Sequence, residues 1–197
     1  MDFMNELAAI AASAGGIIDT KTAKTKGISR AMLSLLNKRG KIMRVAQGQY
    51  VLPHDMQDEL LSIDIRSEHI IFSHETALWL HGISDRTPFV HSLTAPSGKM
   101  PSGFIRETCK VYYIKPELFD MGKVRIATPS GNLVAAYDLE RTICDCVRSR
   151  NKMGTETYLA ALKAYAARKD KNLNLLNTYA VELRVARLMR NYLEVLL

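Results

Sequence analysis

Thr20-Lys21-Thr22-Ala23-Lys24-Thr25-Lys26-Gly27-Ile28-Ser29-Arg30-Ala31-Met32-Leu33-Ser34-Leu35-Leu36-Asn37-Lys38-Arg39 is followed, after Gly40-Lys41, by Ile42-Met43-Arg44-Val45-Ala46-Gln47-Gly48-Gln49-Tyr50-Val51-Leu52. The first stretch reads as two short helices broken at Lys26-Gly27. Asp19 or Thr20 is placed to N-cap the first helix, because a side-chain oxygen there accepts an otherwise orphan amide hydrogen. The second helix runs from Ser29 to Arg39 and ends at Gly40, with Lys38 and Arg39 in the last turn, where the helix dipole favours cations. Ile28, Met32, Leu35 and Leu36 follow helical spacing and are expected to face a core. Arg30, Ser34, Asn37 and Lys41 then fall on the opposite side, with Lys38 at its edge. Ile42–Ala46 and Gln49–Leu52 read as a hairpin turning at Gly48, and Pro53 ends it because proline cannot continue a sheet ladder. Helix, turn, helix and basic hairpin in this order predict a winged helix-turn-helix, whose second helix enters the DNA major groove while the hairpin reaches the adjacent backbone.

Upstream, Phe3, Leu7, Ile10 and Ala14 recur at helical spacing and predict a helix over Phe3–Ala14, stopped by Gly15-Gly16. Ile17-Ile18 reads as an apolar connector. Downstream, the composition changes near Pro53-His54. This predicts two domains: residues 1–53, the winged helix-turn-helix, and residues 54–197. Asp55–Asp64 reads as an acidic linker with a short helix. The second domain is expected to mix strands at Glu68–Phe72, Phe89–Ala95, Cys109–Ile114 and Lys123–Ala127 with helices at Glu75–Leu80, Asp138–Arg150, Thr155–Arg168, Leu173–Leu183 and Arg184–Leu197. The fold class is therefore α+β: an N-terminal winged helix-turn-helix and a mixed α/β C-terminal domain ending in a helical bundle.

Charge is distributed unevenly. Residues 1–53 hold eight Lys/Arg and three Asp/Glu, residues 54–149 hold ten and thirteen, and residues 150–197 hold nine and four. Two basic ends thus flank an acidic middle, and basic patches attract polyanions through counterion release. Apolar runs are far short of the roughly 18 residues that span a bilayer, and Met1–Ile10 carries Asp2 and Glu6 rather than a basic signal-peptide start. The three cysteines, Cys109, Cys144 and Cys146, show no zinc-type spacing, which points to a reducing cytoplasm and buried free thiols.

The candidate DNA-reading face is Arg30, Ser34, Asn37 and Lys38: Arg bonds guanine bidentately, Asn bonds adenine, and Ser serves several base edges. Thr20, Lys21, Thr22, Lys24 and Lys26 suit phosphate contacts, which position without specifying, and Ser29 and Lys41, at the ends of the second helix, join the DNA-binding set. Arg44, Gln47 and Gln49 lie on or beside the wing. A second basic face is expected at the C-terminus: Lys163, Arg168, Lys169 and Lys171 near one helix–helix turn, and Arg184, Arg187 and Arg190 on the last helix at i, i+3 spacing.

Other motifs carry no chemistry. His74 and His81 are seven residues apart on one predicted helix, and Leu78 occupies the i+4 position at which a second imidazole would share a metal ion with His74. Asp138, Glu140, Arg141 and Asp145 are spaced for intrahelical ion pairs rather than for paired catalytic carboxylates. Ser97–Gly103 lacks the phosphate-loop order, and Pro101 removes an amide donor such a loop needs. No catalytic residue, metal site or cofactor is expected.

Several stretches together resemble the AbiEi family, the antitoxin and repressor half of a bacterial abortive-infection (type IV) toxin–antitoxin system: Gly48-Gln49-Tyr50-Val51-Leu52-Pro53; Ser73-His74-Glu75-Thr76-Ala77-Leu78-Trp79-Leu80-His81-Gly82-Ile83-Ser84-Asp85-Arg86-Thr87-Pro88; Tyr137-Asp138-Leu139-Glu140-Arg141-Thr142-Ile143-Cys144-Asp145; and Arg190-Asn191-Tyr192-Leu193-Glu194-Val195-Leu196-Leu197. The resemblance implies a two-role, non-enzymatic protein of phage defence. Its N-terminal domain would bind inverted repeats in double-stranded promoter DNA and repress its own operon. Its C-terminal domain would counter a nucleotidyltransferase-like toxin without forming a stable complex with it. Two other readings compete: an enzyme acting on nucleic acid or on the toxin's target through residues 54–197, and a scaffold whose C-terminal helices bind protein.

Overall fold

A computed structural model describes residues 3–53 and 58–196. Among them the chain forms ten α-helices, two short 3-10 helices and two sheets, a mixed α/β architecture. It divides into two compact units, the first comprising Met1–Arg66 with Ala127–Val134, the second Ser67–Ile126 with Ala135–Leu197. The expected boundary at Pro53-His54, and the start of the expected linker, fall on residues 54–57, outside the described residues.

The first unit runs α1 (Phe3–Ser13), β1 (Ile17–Asp19), α2 (Thr20–Thr25), α3 (Arg30–Lys38), β2 (Met43–Ala46), β3 (Gln49–Val51) and α4 (Glu59–Asp64). Asp19 caps α2, accepting from the amides of Lys21 (2.8 Å) and Thr22 (3.2 Å), and Ser29 caps α3 through the Met32 amide (3.2 Å). Ile17-Ile18, expected as a connector, is a strand: β1 pairs antiparallel with β3, and the three-stranded sheet has the order β1-β3-β2. Leu7, Ile10, Ala11, Ile18, Ala23, Ile28, Leu33, Ile42 and Tyr50 form the core. Leu33, not Leu35, is the fully buried residue of α3; Leu35 is 41% exposed. The helix begins at Arg30, so Ile28 lies outside it and does not share its phase.

The second sheet, largely in the second unit, comprises β4 (Ile71–Phe72), β5 (Ser92–Pro96), β6 (Lys110–Ile114), β7 (Lys123–Ala127) and β8 (Leu133–Tyr137) in the order β6-β5-β4-β8-β7; the end of β7 and the start of β8 fall in the Ala127–Val134 segment grouped with the first unit. β4 is antiparallel to β5 and parallel to β8, and β5 is parallel to β6. The sheet is joined by α5 (His74–Leu80), α6 (Gly103–Thr108), α7 (Leu139–Arg148), α8 (Thr155–Ala167), α9 (Leu173–Glu182) and α10 (Ala186–Leu196). β8 and α6 were not expected from sequence. Helix α7 is central: every residue from Leu139 to Val147 is buried, and α5, α8, α9 and α10 pack on it.

The polar residues of α7 are held by structural bonds. Fully buried Arg141 donates to Asp145 (3.0 Å) and to the carbonyls of Leu118 (3.0 Å) and Met121 (2.7 Å), and its guanidinium lies 4.0 Å from the Tyr137 ring centre. Glu140 accepts from the Tyr165 hydroxyl and the Asn172 amide, while Asp138 caps the helix and accepts from Tyr179. Burial raises the Asp138 carboxyl above its ordinary range, and the Arg141 amide and Tyr179 hydroxyl oppose this. Gly122, at φ +77°, passes so close that an added Cβ would sit 2.8 Å from the Arg141 Cβ.

Candidate nucleic-acid interface

The interface candidate is built on α2, α3 and the β2–β3 hairpin. Leu33 points to the core, with Met32 and Leu36 packed against it, and this fixes the opposite side of α3 as its free face. Arg30, Ala31, Ser34, Leu35 and Lys38 are exposed there. Arg30, Ser34 and Lys38 repeat at i, i+4 and i+8 and so line up along the helix. Ala31 and Leu35 join that face, although the sequence reading assigned Leu35 to the core and did not single out Ala31. The signal that finds them is helix phase counted from the Ser29 cap.

Lys21, Thr22, Lys24 and Lys26, together with Ser29 and Lys41, are also exposed. Lys24, Gly27, Ile28, Ser29 and Arg30 line a concavity at the α2–α3 turn. Thr20 departs from this set. It is 8% exposed, and both its amide and its hydroxyl donate to the Gly48 carbonyl at 2.8 Å, so it anchors the hairpin turn to the start of α2 rather than facing a phosphate. Gly48 takes φ +77° to make that turn.

Two further residues of the set are engaged within the fold. Gln49 is 2% exposed. Its Nε2 donates to the Ser62 carbonyl (3.1 Å), and its Oε1 accepts from the Ser62 hydroxyl (2.9 Å) and Arg66 Nη2 (3.2 Å), so it ties β3 to α4 and has no free group for DNA. Asn37 is half-buried, and its Oδ1 accepts from the Arg44 amide at 2.9 Å. That bond holds the end of α3 against β2, so the Asn37 side-chain oxygen is already engaged within the fold. Arg44 itself is exposed, with Nε curled onto the Ala46 carbonyl (3.3 Å) where β2 slips register. Gln47 is exposed at the hairpin turn.

The C-terminal basic residues do not form one face. Arg184 lies in the break between α9 and α10 at φ +58°, so it does not continue the i, i+3 row of Arg187 and Arg190. Arg168 is paired with Asp170 (2.6 Å), and Lys171 donates to the Arg168 carbonyl (2.8 Å). Lys163 and Lys169 are exposed.

Elsewhere the candidate chemistry is internal. His74, 2% exposed and at φ +48°, bonds Ser73 and Ser149 through its two ring nitrogens (2.9 Å each) and stacks on Tyr112. Burial, reinforced by Lys110 and Arg148, keeps its imidazole pKa well below the ordinary value. The ring of His81 bonds the Tyr137 carbonyl through Nε2 (2.8 Å). Cys109, Cys144 and Cys146 are free and buried, and burial pushes the thiols of Cys144 and Cys146 up. Among the described residues, no group of three His, Cys, Asp or Glu side chains is arranged to hold a metal ion, and no helix is long and apolar enough to cross a membrane.

Residues 5–53 match the family model described as a transcriptional regulator, AbiEi antitoxin. The chain is also similar in structure to the RV2827C protein from Mycobacterium tuberculosis: TM-score 0.65 at 14% sequence identity, over 98% of this chain and 78% of that one. At that identity the likeness shows a shared fold. No curated protein matches the chain.

Proposed function

We propose that the first unit is a winged helix-turn-helix that binds inverted repeats in double-stranded promoter DNA and represses the chain's own operon, and that the remainder of this cytoplasmic protein counters a nucleotidyltransferase-like toxin without a stable complex. The carrying observation is the outward face of α3. Arg30, Ser34 and Lys38 stand exposed in one row opposite Leu33, flanked by the exposed cations of α2 and by Arg44. In this reading Arg30 bonds guanine, Ser34 and Lys38 meet neighbouring base edges, and Ala31 and Leu35 contact thymine methyl groups. Lys21, Lys24, Lys26 and Lys41 meet phosphates and set register. The family assignment of residues 5–53 supports the regulator role, and the antitoxin role rests on the family.

The test is a gel shift with the chain's own promoter fragment and with random DNA at fixed salt. Arg30→Ala is expected to lose about 1–3 kcal/mol on the promoter and little on random sequence. Lys24→Ala is expected to weaken both and lower the salt slope by about one unit. Equal losses on both sequences for Arg30→Ala would remove base reading by that residue. Failure of the wild-type chain to prefer its promoter would remove the repressor role.

A further inference from the structure

The second unit contains an open cavity of about 400 Å³ that the DNA-binding reading does not use. Its wall is formed by the ends of α7 and α9 and by the segment after β6. It carries three cations, Lys115, Arg148 and Arg184, two carboxylates, Glu117 and Glu182, and carbon surface from Leu118. The cations are loosely engaged. Lys115 is 3.7 Å from Glu117, and Arg148 is 3.8 Å from Asp145. Among the described residues, Arg184 has no ion-pair partner.

Arg184 also occupies an unusual backbone position. It follows α9 in the left-handed region, φ +58°, where its amide bonds the Val181 carbonyl (3.0 Å) and the Val185 amide bonds the Ala180 carbonyl (2.8 Å). This is the helix-ending position that glycine fills at least cost, because a Cβ is strained there. The helix end thus places a long cationic side chain in the cavity wall beside two more cations.

We infer that this cavity binds a nucleoside phosphate. Its volume lies in the range of small-ligand pockets, roughly 300–1,000 Å³. Phosphate oxygens match the guanidinium forks of Arg148 and Arg184, and the Lys115 ammonium adds a point charge. Glu117 and Glu182 accept from ribose hydroxyls or a base amino group, which a bare phosphate does not offer. Leu118 and its apolar neighbours supply a surface for the base. The inference is independent of the role of the first unit.

The experiment is calorimetric titration of the full chain with ADP and GDP, with adenosine, guanosine and inorganic phosphate in parallel. At least one nucleotide is expected to bind about tenfold more tightly than phosphate or its nucleoside, about 1.4 kcal/mol. Arg184→Gly keeps the turn and removes the guanidinium, and Lys115→Ala removes the ammonium; each is expected to weaken nucleotide binding by about tenfold or more. Lys169→Ala removes an exposed cation that does not line the cavity and is expected to leave binding unchanged. Circular dichroism checks folding, and Lys115→Ala alone carries the test if Arg184→Gly does not fold. Absence of nucleotide binding overturns the inference. So does phosphate binding as tightly as the nucleotides, or an equal loss in Lys169→Ala.

Discussion

Replacing Gln49 by Leu separates a structural role from a DNA contact. The side chain makes three hydrogen bonds, all to α4 or the turn beyond it. The Ser62 carbonyl retains Arg66 Nε at 3.1 Å after the substitution, and the Ser62 hydroxyl and Arg66 are only partly buried, so water can serve them. The loss is therefore close to the net worth of the bonds, about 1 kcal/mol each, or about 2–3 kcal/mol in all. Leu restores apolar burial but cannot replace the polar link. The assay is native-state amide hydrogen exchange at Ile18, Tyr50 and Val51, in the β1–β3 pair beside the substituted residue. Protection is expected to fall by about 30- to 150-fold, since about 1.4 kcal/mol is one decade. Promoter affinity, measured well below the melting temperature, is expected to stay within about twofold, because a 2% exposed side chain has no group to offer DNA. The reasoning is refuted if affinity falls about tenfold while exchange protection is unchanged.

Three further outcomes are expected. Gly122→Ala meets both a positive φ and the Arg141 Cβ at 2.8 Å, so the second unit should lose about 2–5 kcal/mol; a urea transition followed by Trp79 fluorescence checks this, and an unmoved midpoint discards the close approach. His74 stays neutral in the folded chain while the unfolded chain takes a proton below about pH 6.5, so stability is retained above that value and falls below it, by up to about 1.4 kcal/mol per pH unit. His74→Asn, which tolerates the left-handed backbone, should flatten that slope in urea melts between about pH 6.5 and 5, and identical slopes for variant and parent would rule His74 out. Arg187→Glu with Arg190→Glu reverses the two exposed arginines that share one face of α10 without touching the core; reduced promoter repression or reduced toxin neutralisation, with unchanged circular dichroism, assigns that face a polyanion contact, and wild-type levels of both reduce it to solvation.

The parts of the fold legible in the sequence are those whose signals are local. Asp19 and Ser29 cap α2 and α3 through bonds spanning two or three residues, and Lys123–Ala127 alternates strongly enough to mark β7 at its observed limits. Long-range partners were not legible. Ile17–Asp19 is too short to show a period and becomes a strand only through Val51, Tyr50 and Gln49. Leu133–Tyr137 is a short apolar run that spacing alone cannot tell from the start of α7. The same limit acted on the candidate site. Exposed Lys21, Lys24, Arg30, Ser34 and Lys38 followed from residue type and phase, whereas Thr20, Asn37 and Gln49 look equally polar in sequence. Their roles are set by Gly48, Arg44, Ser62 and Arg66, residues up to 28 positions away.

The first unit is discontinuous in sequence, and this sets a clock on the ribosome. Buried Asp58 caps α4 with one carboxylate oxygen, and its other oxygen takes bonds from the Thr128 hydroxyl (2.5 Å) and the Asn132 amide (2.9 Å), 70 and 74 residues later. Until those residues emerge, α4 is capped by a carboxylate with two of its three partners missing. At about 5–20 residues per second, that gap lasts roughly 4–14 s. A nascent chain can thus display α3 before its own unit is closed. On the proposed reading, full promoter occupancy waits on synthesis well past α3, and a message truncated between Arg66 and Thr128 is expected to yield weakened promoter binding.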